Sequence, residues 1–170
     1  ISPKDVKAIG VSGQQHGLVP LDRHGGVIRP VKLWNDTSTI KECEHLTRKL
    51  GGKKAVIGLM GNLILPGYTA SKILWLKRNE PENYARLKTV LLPHDYLNLY
   101  LTSRRMMEYG DASGTALMDV RTRTWSKNVM EAIDPELQDK LPSIRSSDKP
   151  VGTIRKEMAE AFGFREDVLV

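Results

Sequence analysis

Three short segments carry side chains suited to holding a ligand rich in hydroxyl groups. Gly13-Gln14-Gln15-His16-Gly17 sets two amides and an imidazole between glycines that let the backbone approach a ligand closely. Trp34-Asn35-Asp36 offers an aromatic face beside an amide and a carboxylate, a set that can stack on a sugar ring and bond its hydroxyls. Asp111 stands in Gly110-Asp111-Ala112-Ser113-Gly114-Thr115, where small neighbours leave its carboxylate unobstructed. A carboxylate so placed can accept a proton from an attacking hydroxyl.

Each segment also has a plainer reading that the residues alone leave open. Gln14 to His16 fits a turn whose side chains bond their own backbone, Asp36 fits a helix N-cap, and Asp111 fits a turn aspartate ahead of a strand. Trp34 and Trp75 fall at positions where tryptophan is usually core. Local phosphate or metal motifs do not decide the matter. Gly51-Gly52-Lys53-Lys54 is no Walker loop, because Thr47 stands where the first glycine is needed and Lys54 where the hydroxyl is needed. It reads as a glycine pair ending a helix, followed by solvated lysines. Dinucleotide, zinc-protease and nucleophile-elbow motifs are missing as well.

The elements that must position these residues alternate between strand and helix. Val6 to Ser12 is a short apolar run expected to be a strand, and Leu18–Leu21 with Val27–Trp34 forms an expected hairpin across Asp22-Arg23-His24-Gly25-Gly26. Asp36, Thr37 or Ser38 can cap a helix bearing Ile40, Cys43, Leu46 and Leu50, with Gly51 at its C-terminal cap. A helix is expected over Thr69–Asn79, with Thr69 as its cap and Pro81 ending it. A shorter one holds Tyr84 and Leu87, a strand covers Val90-Leu91-Leu92, and Pro93 opens a helix with Tyr96, Leu97, Tyr100 and Leu101 on one face. Ala116–Val120 reads as a strand, and helices are expected over Ser126–Ile133 and Ile154–Phe162. Interleaving of this kind points to an α/β fold, with α+β as the alternative.

Composition sets outer bounds. The 170 residues, 40% hydrophobic and 27% charged, suit one compact domain and do not suit two catalytic lobes. Cys43 is the single cysteine, so an internal disulfide is excluded and the thiol is expected to be a small buried hydrophobe. The net charge of +6 is spread along the chain, and its densest runs, Lys53-Lys54 and Arg104-Arg105, are only pairs. That pattern suits a solvated surface and argues against a nucleic-acid partner. Nothing approaches the roughly 20 consecutive apolar residues of a membrane helix. A soluble, cytoplasmic protein is the expectation, with no membrane partner.

Taken in order, the segments resemble a known family. Gly13-Gln14-Gln15-His16-Gly17, Leu33-Trp34-Asn35-Asp36, Gly61-Asn62, the stretch from Pro66 to Leu76 with Lys72 and Trp75 at its fixed places, Leu91-Leu92-Pro93-His94-Asp95-Tyr96-Leu97 and Asp111-Ala112-Ser113-Gly114-Thr115 are similar to the N-terminal half of the xylulokinase branch of the FGGY carbohydrate kinases. The resemblance runs from about Val6 to Phe164. It implies a ribonuclease-H-like fold of the actin-like ATPase superfamily, present here as a partial, N-terminal sugar-binding lobe over residues 1–170.

The same resemblance implies a function. The γ-phosphate of ATP, with Mg²⁺, would pass to the C5 hydroxyl of D-xylulose or a related sugar. Asp111 would be the catalytic base, with Gln15, His16, Trp34 and Asp36 binding substrate. Gln15 stands where the branch usually has methionine, which leaves open ribulose, gluconate or glycerol as alternatives. The family's Asp-x-Gly-Thr phosphate loop and ATP-binding lobe are expected outside these residues, together with the ATP and metal ligands. The isolated chain is therefore expected to bind no cofactor and to be inactive. A non-catalytic sugar-binding module is the reading from another class. Were Val6–Ser12 an unpaired strand, its exposed edge would favour a homodimer.

Overall fold

The computed structural model describes residues 2–170. Its strands are short and its helices carry the packing. Strand β1 (Val19–Leu21) pairs antiparallel with β2 (Thr89–Leu91), β3 (Met106–Glu108) pairs parallel with β6 (Ser143–Arg145), and β4 (Met118–Asp119) pairs antiparallel with β5 (Thr124–Trp125). The helices are α1 (Ile40–Lys49), α2 (Lys53–Met60), α3 (Thr69–Asn79), α4 (Pro81–Arg86), α5 (Pro93–Thr102), α6 (Tyr109–Ser113), α7 (Lys127–Ile133) and α8 (Lys156–Phe162). None of them is long and apolar enough to cross a membrane.

Helix α3 organises the largest core cluster. Its Ala70, Ile73, Leu74 and Leu76 pack with Cys43 and Leu46 of α1, Val56 and Met60 of α2, and Val129 and Ile133 of α7. Cys43 is buried as expected, and burial pushes its thiol pKa up. The expected span of α3 is matched residue for residue, because apolar residues on several faces meet neighbours and Pro81 denies the next turn a donor. Thr69 is not its cap, however. Tyr68 takes that place, and the Thr69 hydroxyl donates instead to the His16 carbonyl at 3.2 Å.

Other expectations need correction. Val6–Ser12 is not a strand, since its pairing is confined to one bridge between Ala8 and Leu169, flanked by bonds from Ile9 and to Lys7. The hairpin survives only as isolated bridges, Leu18 to Lys32 and Leu21 to Val27, because Pro20 and Pro30 offer no N–H to a ladder. Helix α1 starts after Thr39, whose hydroxyl is 2.9 Å from that of Ser71 and does not cap. The glycine pair ends α1 and also opens α2, a helix the sequence reading left out, with Gly51 and Gly52 at φ of 89° and 94°. Ala116 takes a φ of 56°, which holds β4 to two residues.

On α5 the expected apolar face is split, and Tyr96 packs against the core cluster of Val19, Leu21 and Leu91. Leu97 and Tyr100, expected to face the core, are exposed, whereas His94, Asp95 and Thr102 are buried. Burying such polar groups is costly unless they are paired. The Thr102 hydroxyl donates to the Asn98 carbonyl at 2.6 Å within the helix, and the partners of His94 and Asp95 lie at the candidate site.

Candidate active site

The loop Gly13–Gly17 rides directly on the first turn of α5. A Cβ added to Gly13 would lie 2.9 Å from both the backbone nitrogen and Cβ of His94, and one on Gly17 would meet the Pro93 ring at 2.7 Å. Only glycine permits this approach. His16, in the left-handed region at φ 61°, then turns its imidazole onto Gly114 at the end of α6, where a Cβ would overlap the ring. The ring also stacks at a tilt on Tyr68, with centroids 4.4 Å apart.

Lys72 fixes this loop from below. Its side chain is fully buried on α3, and its ammonium donates to the carbonyl of His16 at 2.8 Å and to that of Gly67. Burial lowers its pKa to about 8. Lys72 thus anchors the backbone and does not face a ligand. Gly67, at φ 93°, lies so close to the carbonyl oxygen of Trp34 that a side chain would clash there, which brings the Trp34 segment to the same corner.

Asp111 sits on α6, in a helix and not in the expected turn, because Glu108 caps that helix by accepting from the amides of Gly110 at 2.6 Å and Asp111. Its carboxylate Oδ2 is 3.0 Å from His94 Nδ1, and His94 Nε2 is 3.0 Å from Asp95 Oδ1. The Nδ1 contact is a charge pair and not an aligned hydrogen bond, since no acceptor lies along that N–H. Asp95 also accepts from the Leu92 amide at 3.1 Å. Burial opposes a charge on His94 and is the largest single influence, but Asp111 and Asp95 together outweigh it and push its pKa to about 10. The imidazolium in turn holds Asp111 below its ordinary carboxyl range, while burial pushes Asp95 up.

His16 and Asp111 are therefore neighbours, each felt electrostatically by the other. Burial and Lys72 lower the His16 pKa, so its imidazole is neutral near pH 7 and can both donate and accept. Gln15 is exposed on the same loop. The other two expected residues make contacts of their own. Trp34 is 53% exposed and so is not core. Asp36 does not cap α1; it accepts from Lys32 at 2.7 Å and from the Ser38 amide at 3.0 Å, and although burial alone would raise it, these bonds bring its pKa to about 2.

Asp111, His94 and Glu108 bring three potential ligand atoms within 4.8 Å of one another. They do not suit Mg²⁺, which takes oxygen donors, because His94 is an imidazolium between two carboxylates and Glu108 is spent on the α6 cap. The reading of the sequence missed His94 and Asp95 as site residues. Their signal was present: a charged pair interrupts an apolar run between Leu92 and Tyr96, just inside a proline-opened helix.

Known proteins match nearly the whole chain. The family model for the N-terminal domain of the FGGY carbohydrate kinases matches residues 1–170. The xylulose kinase of Haemophilus influenzae is 45% identical over 99% of this chain and 35% of its own length, and that of Escherichia coli is 39% identical over 95% and 33%. Among solved structures, the xyloylose kinase of Brucella ovis superposes with a TM-score of 0.88 at 35% identity, covering 96% of this chain and 33% of that one. The gluconate kinase of Lactobacillus acidophilus superposes with a TM-score of 0.89 at 22% identity, over 99% and 34%, a likeness of fold alone. The chain spans about a third of the length of the curated relatives it matches.

Proposed function

Because this chain belongs to the FGGY family of carbohydrate kinases, we propose that it is the sugar-binding part of an enzyme that transfers the γ-phosphate of ATP to the C5 hydroxyl of D-xylulose. The observation that carries the reading is the packing of the His16 imidazole on Gly114, three residues beyond Asp111, which gathers an exposed amide loop, a neutral imidazole and a carboxylate at one place. His16 and Gln15 bind sugar hydroxyls, and Trp34 and Asp36 add further sugar contacts. Asp111 accepts the hydrogen bond of the attacking hydroxyl and takes up its proton.

Phosphoryl transfer needs mainly positioning and charge stabilisation. A carboxylate held below its ordinary range is ionised at neutral pH and orients a hydroxyl well, while being a modest base. ATP and Mg²⁺ supply the phosphoryl group and its charge neutralisation, and the residues that hold them belong to other parts of the protein. The cytoplasm is the compartment in which such a kinase meets ATP.

The test is a panel of sugars given with MgATP to the full-length product of the gene. D-xylulose should be phosphorylated well ahead of ribulose, gluconate and glycerol, and Asp111→Asn should cut kcat about a hundredfold or more. Preference for another sugar would overturn the substrate, and wild-type kcat in Asp111→Asn would remove Asp111 from the chemistry. The 170-residue chain alone should give no turnover.

A further inference from the structure

Three arginines meet where α5 ends. Arg104 and Arg105 follow Ser103, which closes α5 at φ 61° and turns the chain toward β3. Arg145 lies on β6, the strand paired with β3. With Ser103, Met106 and Val151 they line a cavity of 610 Å³, and none of these six residues is acidic or aromatic. The frame is well tied. The Arg104 amide donates to the hydroxyl of the buried Thr102 at 3.1 Å, and the Arg104 stem runs along Gly152, where an added Cβ would lie 3.5 Å from its Cγ.

Structural duties do not account for these charges. Arginines beyond a helix C-terminus commonly bond its last carbonyls. Here those carbonyls have other donors: the Thr102 hydroxyl bonds Asn98, the Ser103 amide bonds Leu99, and the Arg155 amide bonds Leu101. Glu108, opposite Arg145 in the β3–β6 register, gives both carboxylate oxygens to the amides of α6. All three arginines are exposed, and no ion pair among the described residues uses them. Arg155 adds positive charge at the same end of α5, its guanidinium 5.3 Å over the Tyr100 ring.

We propose that this cavity binds a phosphate monoester of a small polyol, with Arg104, Arg105 and Arg145 on the phosphate. Planar guanidinium forks pair with phosphate oxygens in a bidentate way, and like charges gathered at one cavity favour an anion that fills it. The volume falls within the range of small-molecule sites and exceeds the needs of bare phosphate. The apolar lining is limited to Met106 and Val151, with no ring to stack a nucleobase, so a short hydroxylated ester suits the cavity better than a nucleotide or a nucleic acid. The Gly13–Gly17 loop rides on the first turn of α5, so the ten residues of that helix set the two places about 15 Å apart. The inference does not depend on which sugar that loop receives.

Isothermal titration of the full-length protein with glycerol 3-phosphate tests this. One saturable event should appear, weakened about tenfold or more in Arg104→Gln and again in Arg145→Gln, and weakened by added salt. The double variant Lys53→Gln/Lys54→Gln removes two exposed charges elsewhere and should bind as wild type does. Inorganic phosphate should compete at the same arginines but bind more weakly than the ester. Absence of binding, or wild-type affinity in both folded arginine variants, would sink the proposal. Displacement by glycerol would place the event in the sugar site and overturn it as well. Inorganic phosphate binding as tightly as the ester would remove the polyol from the assignment, and displacement by a short single-stranded DNA would reassign the arginines to nucleic acid.

Discussion

The ammonium of Lys72 stands 2.8 Å from the carbonyl oxygen of His16, a residue 56 positions earlier in the chain. It also holds the carbonyl of Gly67, so a single buried cation ties together α3, the turn before it and the Gly13–Gly17 loop. Lys72→Met keeps the length and apolar stem but leaves both carbonyls without this donor. The expected loss is about 2 kcal/mol or more in chemical denaturation, with weakened sugar binding from the released loop. Unchanged stability would show that these carbonyls find other partners.

Gly114 tests the loop from the opposite side. Its φ of −82° is open to any residue, so Gly114→Ala introduces no backbone strain, yet its methyl would occupy the space of the His16 ring. Circular dichroism should be unchanged, while affinity for the sugar falls about tenfold or more, equivalent to ~1.4 kcal/mol. Isothermal titration with D-xylulose reads the difference.

Asp134 links α7 to α3 and α4. It accepts from Lys77 at 2.7 Å and from the Tyr84 hydroxyl at 2.9 Å, and although burial alone would raise its pKa, these partners and the Glu136 amide bring it to about 2. A depressed carboxyl contributes stability above its unfolded pKa and loses it as pH falls through the folded one. Asp134→Asn should therefore cost ~2 kcal/mol at pH 7, and the gap to wild type should close between about pH 4 and pH 2. Thermal melts across that range check the sign.

Cys43 is 6% exposed beneath α3, and burial raises its thiol pKa. Modification by a thiol reagent at pH 8 should be slow in the native protein and should proceed at the rate of unfolding, becoming fast in denaturant. Rapid labelling of the folded chain would mean that α1 opens locally.

What the sequence determined on its own was local. The span of α3, the proline starts of α4 and α5, and the glycine end of α1 follow from residues within one or two turns, where a missing N–H or an available positive φ acts directly. The ordered segments likewise identified the family, since spacing along the chain is itself sequence information. Tertiary structure decided which polar residues face one another. The first turn of α5 buries His94 and Asp95 while Leu97 and Tyr100 stay outside, because the side of a helix that counts as interior depends on what packs there. Burial alone disfavours the charge on His94, and it is Asp111, from a different helix, joining the adjacent Asp95 that outweighs this cost. Such contacts join residues distant in the chain, and no periodicity within a segment encodes them.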